Sequence, residues 1–189
     1  PEHQGSFLRH VDEEPGRLRI GTYAGTGAAG VELHPHVLAA HEETVALLTG
    51  LGHEVEEVPV PYDAHFDGLF AEDFGVLWAA MASAAPVPPE QDGELTELNR
   101  WLRARARATP VPRLVQALGR LQQGVRSFTT ATAHLDALLT PTLARPPVAI
   151  GHFTREGPER TFELMTEFAP FTSLYNVTGQ PSVNVPLSW

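Results

Sequence analysis

The sequence predicts an α/β fold in which helices cover a mixed, mainly parallel sheet. Three observations carry this expectation. Short runs at Leu18–Tyr23, Val55–Val60 and Ala137–Thr140 have strand length and stop at Gly or Pro. Longer segments between them repeat apolar residues at three and four, as a helix does when it buries one face. The first two runs flank a single helical segment, the spacing of a right-handed strand–helix–strand unit.

Residues 1–16 are polar and punctuated by Pro and Gly, so they read as a linker or loop, with Phe7 and Leu8 anchored on some apolar surface. The domain proper is expected over 17–189, opening with a strand at Arg17–Tyr23. Gly25, Gly27 and Gly30 then spell G-x-G-x-x-G after a strand, with Glu54, Glu56 and Glu57 where a ribose-binding acid would sit. That fingerprint needs a helix to begin within the glycines, so that its N–H groups face a pyrophosphate. Pro35 is tolerated only in a first turn, so the helix starts at His34 or Pro35 and the glycines form a flexible connection. No cofactor is expected there.

The first helix runs from Pro35 to about Thr49, with Val37, Leu38, Val45 and Leu48 on one side, and ends at Gly50 and Gly52. His34, His36 and His41 invite a metal reading. His36 and His41 are five apart, which separates them around a helix, so surface histidines are expected and no metal site. The second strand is Val55–Val60, closed by Pro59 and Pro61. A second helix is expected over Ala64–Ala85, with an aromatic stripe of Phe66, Phe70, Phe74 and Trp78. Pro86 to Pro89 breaks it.

Glu94 to Ala108 is expected to be helical, its solvent face carrying Arg100, Arg103 and Arg107, with Glu97 pairing Arg100. Another helix opens at Thr109–Pro112 and runs through Leu121 and Phe128 towards Leu135. Asp136–Thr142 reads as a buried strand, and 143–158 as a Pro-rich connection. A last helix over Thr161–Tyr175 is interrupted by Pro170. Asn176, Thr178 and Gly179 supply its exit and Pro181 forbids its return. Alternating Ser182-Val183-Asn184-Val185 predicts a final strand over Ser182–Leu187.

The net charge of −10 disfavours nucleic acid and anionic membrane as partners, including at the arginine-rich 100–107 segment. With no cysteine there is neither a disulfide nor a thiolate metal site, and no apolar run approaches a membrane span. The cytoplasm is the expected compartment. All 13 basic residues in the Lys+Arg count are arginines. Arginine holds its proton too tightly to act as a general base, whereas a buried lysine can be tuned to do so. Ser173, Ser182 and Ser188, with His134 and Asp136, are the residues from which a triad would have to be assembled. No G-x-S-x-G elbow is present, and structural serines are expected.

Four stretches, in this order, carry a resemblance. They are "SFLRHV…GRLRIG", "HPHVLAAHEETVALLTGLGHEVEEVPVP", "DALLTPT" and "FTSLYNVTGQPSVNVP". Together they resemble the C-terminal half of the amidase signature hydrolases, over nearly the whole chain. The resemblance implies the C-terminal part of an amidase-signature fold, acting on linear or cyclic amides. It also implies a Lys-Ser-Ser constellation with its serines in a Gly/Ser-rich loop, and neither that lysine nor that loop occurs here. The chain therefore looks like the portion that follows the catalytic segment. Alone it is expected to be inactive, with its partners the catalytic half of the same protein, a small-molecule amide and, in one arrangement, a second copy as a homodimer.

In that family, helices of this region roof the substrate site, which puts Phe74 and Trp78 among candidate pocket walls, with Phe171 and Asn176 of the last motif as further substrate contacts. No catalytic residue is assigned within the chain. Two alternatives remain: the amidase component of a tRNA-dependent amidotransferase, and a non-catalytic ligand-binding or interaction domain.

Overall fold

The computed structural model describes residues 8, 11, 13–28 and 30–187. Most of the expected 1–16 linker, including Phe7, lies outside the described residues, as do Ser188 and Trp189 at the other end. Three strands form one sheet in the order β2-β1-β3: β1 (Arg19–Thr22) is central, flanked by β2 (Glu54–Glu57) and β3 (Ala137–Leu139). Both pairings are parallel, with Ile20 opposite Val55 on one side and Ala137 on the other. The central position explains why β1 is buried while its neighbours are half-open.

Helix α1 (Pro35–Gly50) starts where the proline requires. His34 caps it, its Nδ1 accepting from the His36 N–H at 3.2 Å. From mid-helix, the half-buried His41 reaches the sheet, its Nε2 3.0 Å from Thr22 Oγ1. It is therefore not a surface histidine. Burial holds its imidazole below the usual histidine range, against a smaller opposing pull from Glu42.

The helix expected over Ala64–Ala85 is two helices, α2 (Pro61–Phe66) and α3 (Phe70–Ala84). Between them Asp67 and Gly68 adopt φ of 51° and 69°. Two successive left-handed residues terminate a helix, and Asp is one of the few side chains that tolerates that conformation. The bend folds the aromatic stripe into the main core, where Tyr62, Phe66 and Phe70 pack with Leu121, Phe128 and Leu174.

After a 3-10 turn (Pro89–Glu94), α4 (Glu97–Ala108) begins later than the expected Glu94 start, with Thr96 Oγ1 accepting from the Asn99 N–H. Its basic face is not simply solvated. Arg103 is only 4% exposed, its Nε 2.9 Å from Asp92 Oδ1 and its Nη2 donating to the Val87 carbonyl at 2.8 Å. Arg100 donates to the carbonyls of Leu95 and Gly93 rather than pairing with Glu97. The Pro-rich loop folds back over the helix, bringing free carbonyls and Asp92 within reach of guanidinium groups. No helix register predicts that placement.

Helix α5 (Val111–Ala131) crosses α2 and α3. It approaches α2 so closely that a Cβ on Gly124 would stand 2.2 Å from the Phe66 ring and 2.8 Å from the His65 carbonyl oxygen. Then come β3, a long loop, α6 (Pro158–Phe168) and α7 (Thr172–Thr178), separated at Pro170 as expected. Gly179 closes α7 at φ 71°.

The final strand expected over Ser182–Leu187 is absent. Residues 181–187 join no ladder, and Val183 is 85% exposed. Alternation suits a side-chain pattern to a sheet, but a strand also needs a neighbour for its N–H and C=O groups. Among the described residues none pairs with this segment, which touches the fold through Asn184 Oδ1, 2.9 Å from Thr142 Oγ1.

Candidate substrate cleft

Parallel sheets present ligands with the carboxyl ends of their strands. At that end of β1 the chain passes through Tyr23 into the 24–34 loop, which bears the glycine pattern. Rather than forming a flexible connection, this loop is tied to itself and packed down. The buried Thr26 hydroxyl donates to the Val31 carbonyl at 2.7 Å and accepts from the Ala28 N–H at 3.3 Å. At Gly27 (φ 63°) a Cβ would lie 2.1 Å from the Tyr62 ring. The glycine is there for the close approach of α2. Ala29 lies outside the described residues.

A cleft opens between this loop, α3 and the α6–α7 break. Thr26, Gly27 and Ala28 form one side, Phe70, Ala71 and Phe74 another. Thr166, Pro170 and Ser173 close the third, with Tyr62 at the meeting point. Among the described residues, the lining carries hydroxyl groups and apolar surface but no charged side chain. Below it lies a group of buried phenols. Tyr23 and Tyr175 meet through their hydroxyls at 3.2 Å, and the Tyr62 hydroxyl donates to the Pro170 carbonyl at 2.5 Å. Burial pushes the Tyr23 and Tyr62 phenols well above the usual tyrosine range and raises that of Tyr175. They stay protonated near neutral pH, so they act as hydrogen-bond donors and not as bases.

The sequence-predicted contacts are distributed unevenly around this cleft. Phe74 lines it, stacked on Phe70 at 5.6 Å between ring centroids and 10° between planes. Trp78 lies behind Phe74 at 5.5 Å, with Phe162 on its far side at 5.2 Å. Phe171 is 1% exposed and packs beneath, 6.1 Å from Tyr23. Asn176 is exposed and faces a different depression, between α3, α5 and α7, beside Leu77, Val125 and Arg126.

The triad residues are not brought together. Ser173 sits at the cleft, its hydroxyl 3.5 Å from the Pro170 carbonyl. His134 and Asp136 precede β3, at the opposite end of the sheet. There His134 Nε2 lies 2.7 Å from Glu56 Oε1, and Asp136 Oδ2 accepts from the Arg19 N–H at 2.8 Å. Ser182 is exposed in the unpaired 181–187 segment, and Ser188 is outside the described residues. Among the described residues no three His, Asp or Glu side chains are grouped as a metal would require.

Sequence reasoning missed Tyr62, Thr26 and Thr166, because their places in the cleft depend on contacts across the chain. A Pro61-Tyr62 start to a short helix is a local signal; its target at Pro170 is not.

A family profile described as amidase matches residues 1–189. The chain belongs to the amidase family. It is 29% identical over 188 residues to a Mycobacterium leprae protein assigned as amidase AmiC, covering 93% of this chain and 38% of the relative. It is 26% identical over 211 residues to the 6-aminohexanoate-cyclic-dimer hydrolase of Paenarthrobacter ureafaciens, covering 99% of this chain and 41% of that protein. Among solved structures, a substrate complex of 6-aminohexanoate cyclic dimer hydrolase superimposes with a TM-score of 0.76 at 22% identity, over 95% of this chain and 40% of that one. A glutamyl-tRNA(Gln) amidotransferase structure from Thermotoga maritima gives 0.53 at 17% identity, over 86% and 33%.

These structural likenesses establish the amidase fold, and with it the mixed α/β class. The amidase chain spans about two fifths of the length of the relatives it matches. No helix among its described residues is long and apolar enough to cross a membrane.

Proposed function

We propose that the protein carrying this chain hydrolyses linear or cyclic amides, and that these residues supply walls of the acyl pocket and part of the sheet beneath it. The observation that carries this reading is the uncharged cleft at the carboxyl ends of parallel strands in an amidase-family fold. A pocket lined by aromatic rings, small residues and hydroxyls suits a neutral acyl chain. The name of the Paenarthrobacter relative, a hydrolase of a cyclic aliphatic amide, supports substrates of that type.

The chain has no lysine, so the Lys-Ser-Ser chemistry implied by the family is assigned to residues outside these 189. There a serine would attack the carbonyl, a second serine would pass its proton to and from the lysine, and N–H groups would hold the oxyanion. Within this chain Phe74 touches the acyl group, Trp78 and Phe171 hold the walls, and Asn176 contacts substrate only from the neighbouring depression. The partner is the catalytic portion of the same protein, in the cytoplasm.

The test compares the purified 189-residue chain with the protein extended to include a lysine and a Gly/Ser-rich loop, using p-nitroanilides of aliphatic acids. Turnover by the extended protein alone is expected. Turnover by the short chain, lost on Ser173→Ala, would place the nucleophile here and overturn the assignment.

A further inference from the structure

Tyr62 joins three walls of the cleft. Its ring is the surface on which the Gly27 backbone rests, at a separation that admits no Cβ. The edge of the same ring meets Phe70 of α3, with centroids 4.9 Å apart and planes at 67°. Its hydroxyl donates to the Pro170 carbonyl at 2.5 Å, across 108 residues of sequence, and the Ser173 hydroxyl lies 3.5 Å from the same carbonyl.

Pro170 is the break between α6 and α7, and such breaks are where helices change direction. Thr166 lies one turn before it and Ser173 shortly after, and both line the cleft. Holding the Pro170 carbonyl therefore holds the wall that carries these two hydroxyls. The opposite wall, at Thr26–Ala28, is held by the same ring. A residue fixed to both sides of a cleft determines the distance between them.

We propose that Tyr62 is a positioning residue that sets the width of the acyl cleft and so selects the chain length of neutral aliphatic amide that the enzyme prefers. The proposal rests on the amide-hydrolysis reading above. Tyr62→Phe keeps the ring, and with it the packing on Gly27 and Phe70, and removes only the tie to Pro170. The α6–α7 break is then free to swing outwards, and the cleft takes longer chains.

The experiment uses the full-length protein and p-nitroanilides from acetyl to octanoyl. Wild type should show one preferred length. Tyr62→Phe should raise KM for that substrate by about fivefold, leave kcat within about twofold, and move the optimum to a longer chain. A merely structural role would lower stability and scale every substrate alike. A wild type that turns over amides, with a length profile that Tyr62→Phe leaves unchanged or scales uniformly, would overturn the proposal and leave the amidase reading standing. A folded wild type with no turnover of any amide would overturn that reading, and this proposal with it.

Discussion

The guanidinium of Arg120 on α5 grips both carboxylate oxygens of Asp73 on α3, with Nε 2.6 Å from Oδ2 and Nη2 2.5 Å from Oδ1. Arg113, two turns earlier, adds Nη1 at 2.8 Å from Oδ1 and reaches Glu72 at 2.6 Å. Asp73 is 1% exposed, so this is a buried acid held between two partly exposed arginines. A desolvated carboxylate costs several kcal/mol unless it is paired, and here both oxygens are paired.

Removing that charge should therefore be costly. Asp73→Asn leaves two guanidinium groups without their anion, but each can still reach water, so the loss should be about 2–3 kcal/mol, below the roughly 3–5 kcal/mol of a fully buried pair. Urea denaturation at pH 7 measures it, and a loss under about 0.5 kcal/mol would make the pair incidental. Burial acts to raise the Asp73 pKa, but the hydrogen bonds and charges of Arg120 and Arg113 outweigh it and hold the carboxyl below its ordinary 3.8. With the folded value depressed, this stabilisation is complete above about pH 4 and fades as pH falls through the folded pKa. The gap between wild type and Asp73→Asn should narrow over that range.

His41 behaves in a milder way. Its folded pKa is lowered by burial, so the unfolded chain takes up a proton first as pH falls below 6.5. Its contribution is therefore present above that pH and lost below it. His41→Gln should show a flatter stability profile between about pH 6.5 and 5, read from melting temperatures across buffers.

Two glycines in α5 make a matched pair. Gly119 has open space around its Cβ position, whereas Gly124 faces the Phe66 ring and the His65 carbonyl. Gly119→Ala should stabilise the protein by up to about 1 kcal/mol through helix propensity alone. Gly124→Ala gains the same propensity but must displace backbone as well as a ring, and should lose about 1–3 kcal/mol. Denaturation midpoints of the same sign for both would show that α2 yields to α5 more easily than the packing implies.

On the function proposed above, Phe74 touches the acyl group and Trp78 supports the Phe74 ring from behind. Phe74→Leu, in the full-length protein, should change the ranking of kcat/KM among acyl chains with little change in melting temperature. Trp78→Ala opens a void between Phe74 and Phe162 and should cost about 3 kcal/mol, with preference shifting only as far as Phe74 follows. A Trp78 variant that alters preference without loss of stability would move that ring into the cleft wall.

How much of this was legible depended on how local each cause is. The α1 start was readable because proline constrains its own position, and the α6–α7 break for the same reason. The α2–α3 break also has a local signal, the Asp67-Gly68 dipeptide, but the aromatic stripe that runs on through it masks the stop. The expected strand at Ser182–Leu187 followed a true alternation that finds no neighbour among the described residues. Arg103 was placed in solvent by its helix register, although the loop before the helix covers it. The apolar character of Phe74 was evident in the stripe, but the tie from Tyr62 to Pro170 and the pairing of Asp73 with Arg120 join residues 108 and 47 apart, beyond any local pattern.

The central place of β1 also has a consequence for the order in which the molecule can be built. One edge of β1 is satisfied early by β2, but its other edge waits for β3, with Asp136 receiving the Arg19 N–H across 117 residues. A chain emerging from the ribosome N-terminus first therefore carries a half-paired strand through the synthesis of α2 to α5. At about 5–20 residues per second, that interval lasts several seconds or more, with an open edge available to any passing strand. Closing so long a loop is also the slowest kind of contact to form. Helix α1 contacts β1 through His41 and Thr22, a side-chain contact that leaves the backbone groups of the open edge free until β3 arrives.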